Sequence, residues 1–145
     1  MDESGLASSF VATAVAALVI NNKQLLLGRR LEGNQFTGWQ CPGGYLQKGE
    51  IINQAARRHC LQKAGIEIEG LSPGPYSNNL FSDQLHTTTL YVITEKYQVQ
   101  NYKLFENDSI QWSWFSFDEL PEPLFLPLNN LLKQYDLDTM VSKLI

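Results

Sequence analysis

Glu50, Arg58, His59, Gln62 and Lys63 are the residues of this 145-residue chain whose types and spacing come closest to chemistry. His59, Gln62 and Lys63 stand at i, i+3 and i+4, which puts three side chains on one face of a helix. Three carboxylates so placed would converge on magnesium, an ion that takes oxygen ligands. Here the face offers an imidazole, an amide and an ammonium, and neither the imidazole nor the ammonium suits magnesium. Two unit charges about 4 Å apart interact by about 4 kcal/mol at an effective dielectric of about 20, so an ammonium on this face repels a cation as strongly as a carboxylate would attract it. A lysine can instead meet a phosphate directly, as a point charge. Lys63 therefore has two readings: an ammonium facing an anionic ligand, joined by Arg57 or Arg58 and His59, or a solvated basic helix face. His59 could move protons near neutral pH, or it could be a half-core residue beside a buried stripe. Glu50, eight residues before Arg58, reads as one half of a loop-to-helix ion pair near the positive start of the helix.

A helix over about Ile51–Ala64 must hold these groups. Ile52, Ala56, Cys60 and Ala64 recur every four residues as its buried stripe, and Gly65 suits its C-cap. Before it, Pro42, Gly43 and Gly44 exclude helix. The apolar runs Phe10–Ile20 and Gln24–Arg29 read as strands joined at Asn21–Asn22. Residues 31–38 read as a loop, and Gly74–Pro75 as a turn. His86–Val92 is rich in β-branched and aromatic residues and reads as a strand, as does Ile110–Phe115. Asp118–Pro123 reads as a turn or short cap, and Leu128–Tyr135 suits a closing helix. This order predicts a mixed α/β sandwich, one sheet between helices. Residues 1–9 read as a loose tail and 10–145 as one domain.

Gly44, Glu50, Arg58, Gly65 and Ile66, with Cys60 in an apolar slot, fall in register with G-x5-E-x7-R-E-U-x-E-E-x-G-U, where U is aliphatic. The segment resembles the Nudix box. The flanking motifs agree in order: Leu26-Leu-Gly-Arg-Arg, Gly38-Trp-Gln-Cys-Pro-Gly-Gly, Trp112-Ser-Trp-Phe and Asp118-Glu-Leu-Pro. Together they span roughly residues 11–135 and look closest to the MutT-like branch that hydrolyses nucleoside triphosphates. The resemblance implies a Nudix-type α/β/α sandwich with a mixed central sheet. It implies Glu50 as the one retained box carboxylate and catalytic candidate. Arg29, Arg30, Trp39, Gly43, Gly44, Arg58, His59 and Lys63 become ligand-binding candidates, with Phe36 and Phe81 as aromatic rings that could stack on a base. The three glutamate slots within the helix hold His59, Gln62 and Lys63, so no magnesium is expected in the family's usual site. Two functions follow as expectations. One is a protein that binds a nucleotide or similar phosphorylated small molecule, with magnesium-dependent pyrophosphohydrolase activity lost or weak. The other is an active hydrolase of nucleoside-diphosphate-linked compounds whose magnesium is held by Glu50, carbonyls near Gly43 and acids such as Glu106 or Asp108. A protein-interaction module has no positive support.

Composition narrows the class further. A formal charge of −4 and pI near 5.1 argue against a nucleic-acid polymer as partner. The run Phe10–Ile20 is too short to span a bilayer and follows acidic residues, so neither a membrane anchor nor an export signal is expected and a cytoplasmic location is the default. Cys41 and Cys60 read as two small buried thiols rather than a disulfide. Oligomeric state stays open, a homodimer included.

Overall fold

The computed structural model describes residues 10–100 and 112–142. The 1–9 tail, the start of the Ile110–Phe115 strand and the acids Glu106 and Asp108 lie outside the described residues.

The central strand is β1 (Ala12–Asn21), and its unbroken apolar run follows from being covered on both faces. It turns into β2 (Gln24–Glu32) through Asn22 and Lys23, whose φ angles of 48° and 61° are those of a tight hairpin turn. β3 is Gln35–Gln40 and β4 is Gly43–Tyr45. Helix α1 (Ile52–His59) runs on into a single π turn, Cys60–Ala64, closed by Gly65 at φ 66°. Then come β5 (Ile66–Glu69), β6 (Ser72–Ser82), β7 (Leu85–Thr94), β8 (Lys96–Val99) and β9 (Trp112–Ser116). Helices α2 (Leu126–Gln134) and α3 (Leu137–Ser142) close the described chain.

The main sheet runs β3-β2-β1-β7-β6, with β1 and β7 parallel and the other pairs antiparallel. Strand alternation divides β1 and β2 between two cores. Val15, Ala17, Val19 and Leu26 face α1 through Ala55, Ala56, Cys60 and Ala64. Ala16, Leu18, Ile20, Leu25 and Leu27 face α2 and α3 through Leu128, Leu131, Leu137 and Met140. The result is an α/β/α sandwich with a mixed central sheet, as expected.

One feature of the topology creates the site. The end of β1 pairs with β2 (Ile20↔Leu25, Asn21↔Gln24), whereas its first half pairs with β4 (Ala14↔Tyr45, Val15↔Gly44, Ala16↔Gly43). Where β4 replaces β2 as the neighbour of β1, the sheet splits, and a cleft opens between β4 and the far half of β2. β4 can enter because Gly43 has no side chain: a Cβ there would meet the Val15 carbonyl oxygen at 2.5 Å.

Several sequence expectations change. Residues 31–38 are the tip of the β2–β3 hairpin, not a loop; Leu31 pairs with Phe36 and Glu32 with Gln35. The segment is mostly exposed and carries a register shift between Arg30 and Leu31, so the alternation that signals a strand is missing there. Gly74–Pro75 lies within β6 as an irregularity between Pro73 and Tyr76. The closing helix begins at Leu126, and a further helix follows it. Ile52 is exposed, and Ala55 takes its expected place in the buried stripe. Among the described residues, no helix is long and apolar enough to cross a membrane.

Candidate functional site

The cleft is a cavity of about 430 Å³ whose lining includes Arg30, Gly43, Gly44, Arg58, His59 and Lys63 at one end. Arg30 comes from β2 and the glycines from β4, while Arg58, His59 and Lys63 come from α1 and its π turn.

Glu50 and Arg58 fix the loop to the helix. Arg58 donates from Nε to Oε2 at 2.8 Å and from its terminal nitrogen to Oε1 at 2.9 Å, the two-pronged geometry of a strong guanidinium–carboxylate pair. Glu50 also accepts from the Gln47 N–H at 3.1 Å. The hydrogen bond from Arg58 leads the causes that bring its carboxyl down to about 2. An acid so firmly ionised, with both oxygens engaged, is a poor proton acceptor at neutral pH. Glu50 does not line the cavity.

His59 is buried and lies flat against Gly44, where a Cβ would sit 2.4 Å from the ring carbon Cε1. Its Nε2 is 3.0 Å from the Tyr45 carbonyl oxygen, which can only accept, and 3.3 Å from a terminal nitrogen of Arg58, which can only donate, so the two neighbours favour opposite tautomers of the neutral ring. Nδ1 is buried without a hydrogen-bond partner. Desolvation leads the causes that lower the pKa of His59 below its ordinary value, with Lys63 and Arg58 acting in the same direction. The ring is therefore neutral near pH 7.

Lys63 sends its ammonium to the carbonyl oxygen of Gly43. Burial leads the causes that lower its pKa, followed by the positive charges of Arg30 and Arg58. Gln62, expected on the same face, does not line the cavity, whereas Lys63, exposed like it, does. The π turn explains the difference: with hydrogen bonds from i to i+5 it takes more residues per circuit, which leaves position 62 further round the helix while 63 stays over 59.

The paired arginines separate as neighbours on a strand must. Arg30 enters the cavity, its guanidinium carbon 4.4 Å from the Phe125 ring centroid and its Nε buried without a partner. Arg29 lies over Phe36 at 4.8 Å and is not among the lining residues. Trp39 is not brought to the cavity either; it packs edge-on against Phe36 and Phe115, with centroids 5.8 and 4.9 Å away. Phe81 does line it. Cys41 and Cys60 are buried free thiols, and burial pushes the Cys60 thiol up to about 12.

Of the other end of the cavity, sequence reasoning named only Phe81. Thr87, Thr89 and Tyr91 line it from β7, with Phe81 and Phe125 beside them. The alternation of Thr87, Thr89 and Tyr91 was legible as a strand face, but nothing in the sequence said which face met a cleft. Among the described residues, no group of three or more His, Cys, Asp or Glu is arranged to hold a metal ion.

Comparison with known proteins agrees with this architecture. The MutT Nudix hydrolase structure from Burkholderia pseudomallei superposes with a TM-score of 0.72 over 88% of this chain and 98% of its own, at 17% identity. The MutT protein from Bacillus halodurans gives 0.67 over 86% and 81%, at 16% identity. At such identities the likeness concerns the fold. Among curated proteins, the oxidized purine nucleoside triphosphate hydrolase of Danio rerio is 30% identical over 106 residues, and that of Mus musculus 26% identical over 117. Each alignment covers 72% of this chain and 65% of the relative, so the chain matches just under two thirds of their length. The sequence model of the NUDIX domain matches residues 11–135. With that match running from β1 to the end of α2, the chain belongs to the NUDIX domain family.

Proposed function

We propose that the cleft binds a nucleotide or similar phosphorylated small molecule without magnesium, and that magnesium-dependent pyrophosphohydrolase activity is lost or weak. The observation that carries this reading is the Lys63 ammonium seated on the Gly43 carbonyl inside the cavity. A cation supplied by the chain already occupies that oxygen, and Arg58 and Arg30 lie close enough to lower its pKa, although Glu50 pairs with Arg58 and Glu32, which also lines the cavity, lies 3.4 Å from Arg30. The donor set does not suit magnesium, which would face an ammonium and an imidazole where it prefers carboxylates. Arg30 Nε, a buried donor without a partner, would be satisfied by a phosphate oxygen. Glu50 holds Arg58 in place, and His59 is a neutral ring at the wall.

A second reading is favoured by the similarity to the two oxidized purine nucleoside triphosphate hydrolases. In it, this chain remains a hydrolase of nucleoside-diphosphate-linked compounds through a rebuilt metal site. One experiment separates the two. Nucleotides and nucleotide sugars are screened by thermal shift, each with magnesium and with chelator, and the hits are checked for product. Stabilisation that persists in chelator and disappears in Lys63→Glu supports the binder. Robust magnesium-dependent release of phosphate or pyrophosphate that vanishes in Glu50→Gln overturns it in favour of the hydrolase.

A further inference from the structure

The end of the cavity remote from Lys63 is built around a buried amide. Asn79 is fully buried on β6, opposite Thr87 on β7. Its orientation is determined by Asn130 on α2. Asn130 Nδ2 donates to the Asn78 carbonyl, which can only accept, and to Asn79 Oδ1 at 3.1 Å. The other side of the Asn79 amide is therefore its NH2 group, which donates to Thr87 Oγ1 at 3.0 Å and Thr89 Oγ1 at 3.1 Å. Both hydroxyl oxygens thus act as acceptors towards the protein. Their two hydrogens have no acceptor among the described hydrogen bonds, though both residues are buried and line the cavity. A buried donor left unmet is costly, so this end is poised for a ligand that accepts.

We propose that Thr87 and Thr89, held by Asn79, form a specificity subsite for a nucleobase edge bearing hydrogen-bond acceptors, favouring carbonyl bases such as guanine and uracil over adenine. The inference rests on the phosphate reading of the cationic end. Guanine offers adjacent O6 and N7 acceptors, whereas adenine interposes an amino donor beside N7. One hydroxyl could receive that amine on a lone pair while the other donates to N7, but the first hydroxyl's hydrogen would then stay unmet. Phe81 and Phe125, with ring centroids 5.6 Å apart, provide an apolar border for a flat ring. Arg30, stacked on Phe125, links this border to the cationic end.

The test measures affinities for GDP, UDP, ADP and tripolyphosphate in chelator by calorimetry, on wild type, Thr87→Val/Thr89→Val and Thr89→Ser. Wild type is expected to bind GDP and UDP at least about fivefold tighter than ADP, the worth of about one net hydrogen bond. The double valine variant should lose that ratio while holding tripolyphosphate as wild type does. Thr89→Ser keeps the hydroxyl and should keep the ratio. Its melting temperature and ratio guard against a misfolded double variant. Equal affinity for the three nucleotides, or a ratio that survives in the double variant, overturns the subsite while tripolyphosphate binding leaves the phosphate reading standing. Failure of wild type to bind any of the four overturns both.

Discussion

The ammonium of Lys63 donates to the main-chain carbonyl of Gly43, twenty residues earlier in the chain. The bond joins the π turn after α1 to the start of β4 across the mouth of the cleft, so one side chain both closes the frame and charges the cavity. Binding should then depend on the protonation of this lysine. Burial and the nearby arginines lower its pKa from the ordinary 10.5, so in the free protein its charge is lost at a lower pH than for an exposed lysine. Tripolyphosphate affinity is expected to fall as pH rises through the alkaline range, beginning below 10.5. In Lys63→Met the same titration should be flatter and the affinity at pH 7 lower by tenfold or more, of the order of one charge-assisted hydrogen bond at about 1.5–3 kcal/mol. Calorimetry across the pH series checks both.

Glu50→Gln separates the frame from the chemistry. The Glu50 carboxyl is held at about 2, below its ordinary 4.5, chiefly by the hydrogen bond from Arg58. A depressed carboxylate contributes stability that is present above its unfolded value and is lost as pH falls towards its folded value. The variant should therefore melt a few degrees below wild type at neutral pH, and the two melting curves should converge as pH falls from about 4.5 towards 2. A difference in melting temperature that stays constant down to pH 2 would falsify the assignment of the ion pair.

Gly44 is required by the imidazole rather than by backbone conformation. A Cβ at 44 would meet His59 Cε1 at 2.4 Å and Nδ1 at 2.8 Å, and the buried ring has little room to retreat. Gly44→Ala should cost about 1–3 kcal/mol, the usual range for overpacking. His59→Ala leaves a void and should also destabilise. Combined, the two should cost clearly less than their sum, because the new methyl enters space the ring has vacated. Denaturant titration of the double-mutant cycle measures this coupling, and strict additivity would count against the contact.

The frame of the site was legible because it is written in local chemistry. Gly44, Gly65 and the Glu50–Arg58 spacing answer to a close approach, a left-handed C-cap and a loop-to-helix pair, all within 22 residues of sequence. Arg29 against Arg30 was not legible. Strand alternation says that only one can enter the cleft, but the register shift after Arg30 and the split of the sheet at β4 decide which. Gln62 was misplaced because a π turn leaves no simple signature in sequence, and the spacing rule assumed an α-helix throughout. The Asn79–Thr87–Thr89 network was invisible for a different reason. It needs the pairing of β6 with β7 and a donor from α2, fifty-one residues from Asn79.

Cys41 and Cys60 give an independent readout of ligand binding. Both are buried, and burial raises both thiols well above their ordinary range, so neither carries appreciable thiolate near neutral pH. Native protein should therefore react with a thiol reagent only as fast as it opens. Cys41 lines the cavity whereas Cys60 sits under α1, so a ligand in the cleft should slow Cys41 beyond any general stabilisation. The Cys60→Ala variant isolates this signal. Labelling of Cys41 in that variant is expected to fall with rising GDP concentration in chelator and to be unaffected by GDP when Lys63→Glu is added. Rapid labelling of the ligand-free native protein would show that the cavity opens more freely than its packing implies. A rate indifferent to GDP, despite calorimetric binding, would put the nucleotide outside this cleft.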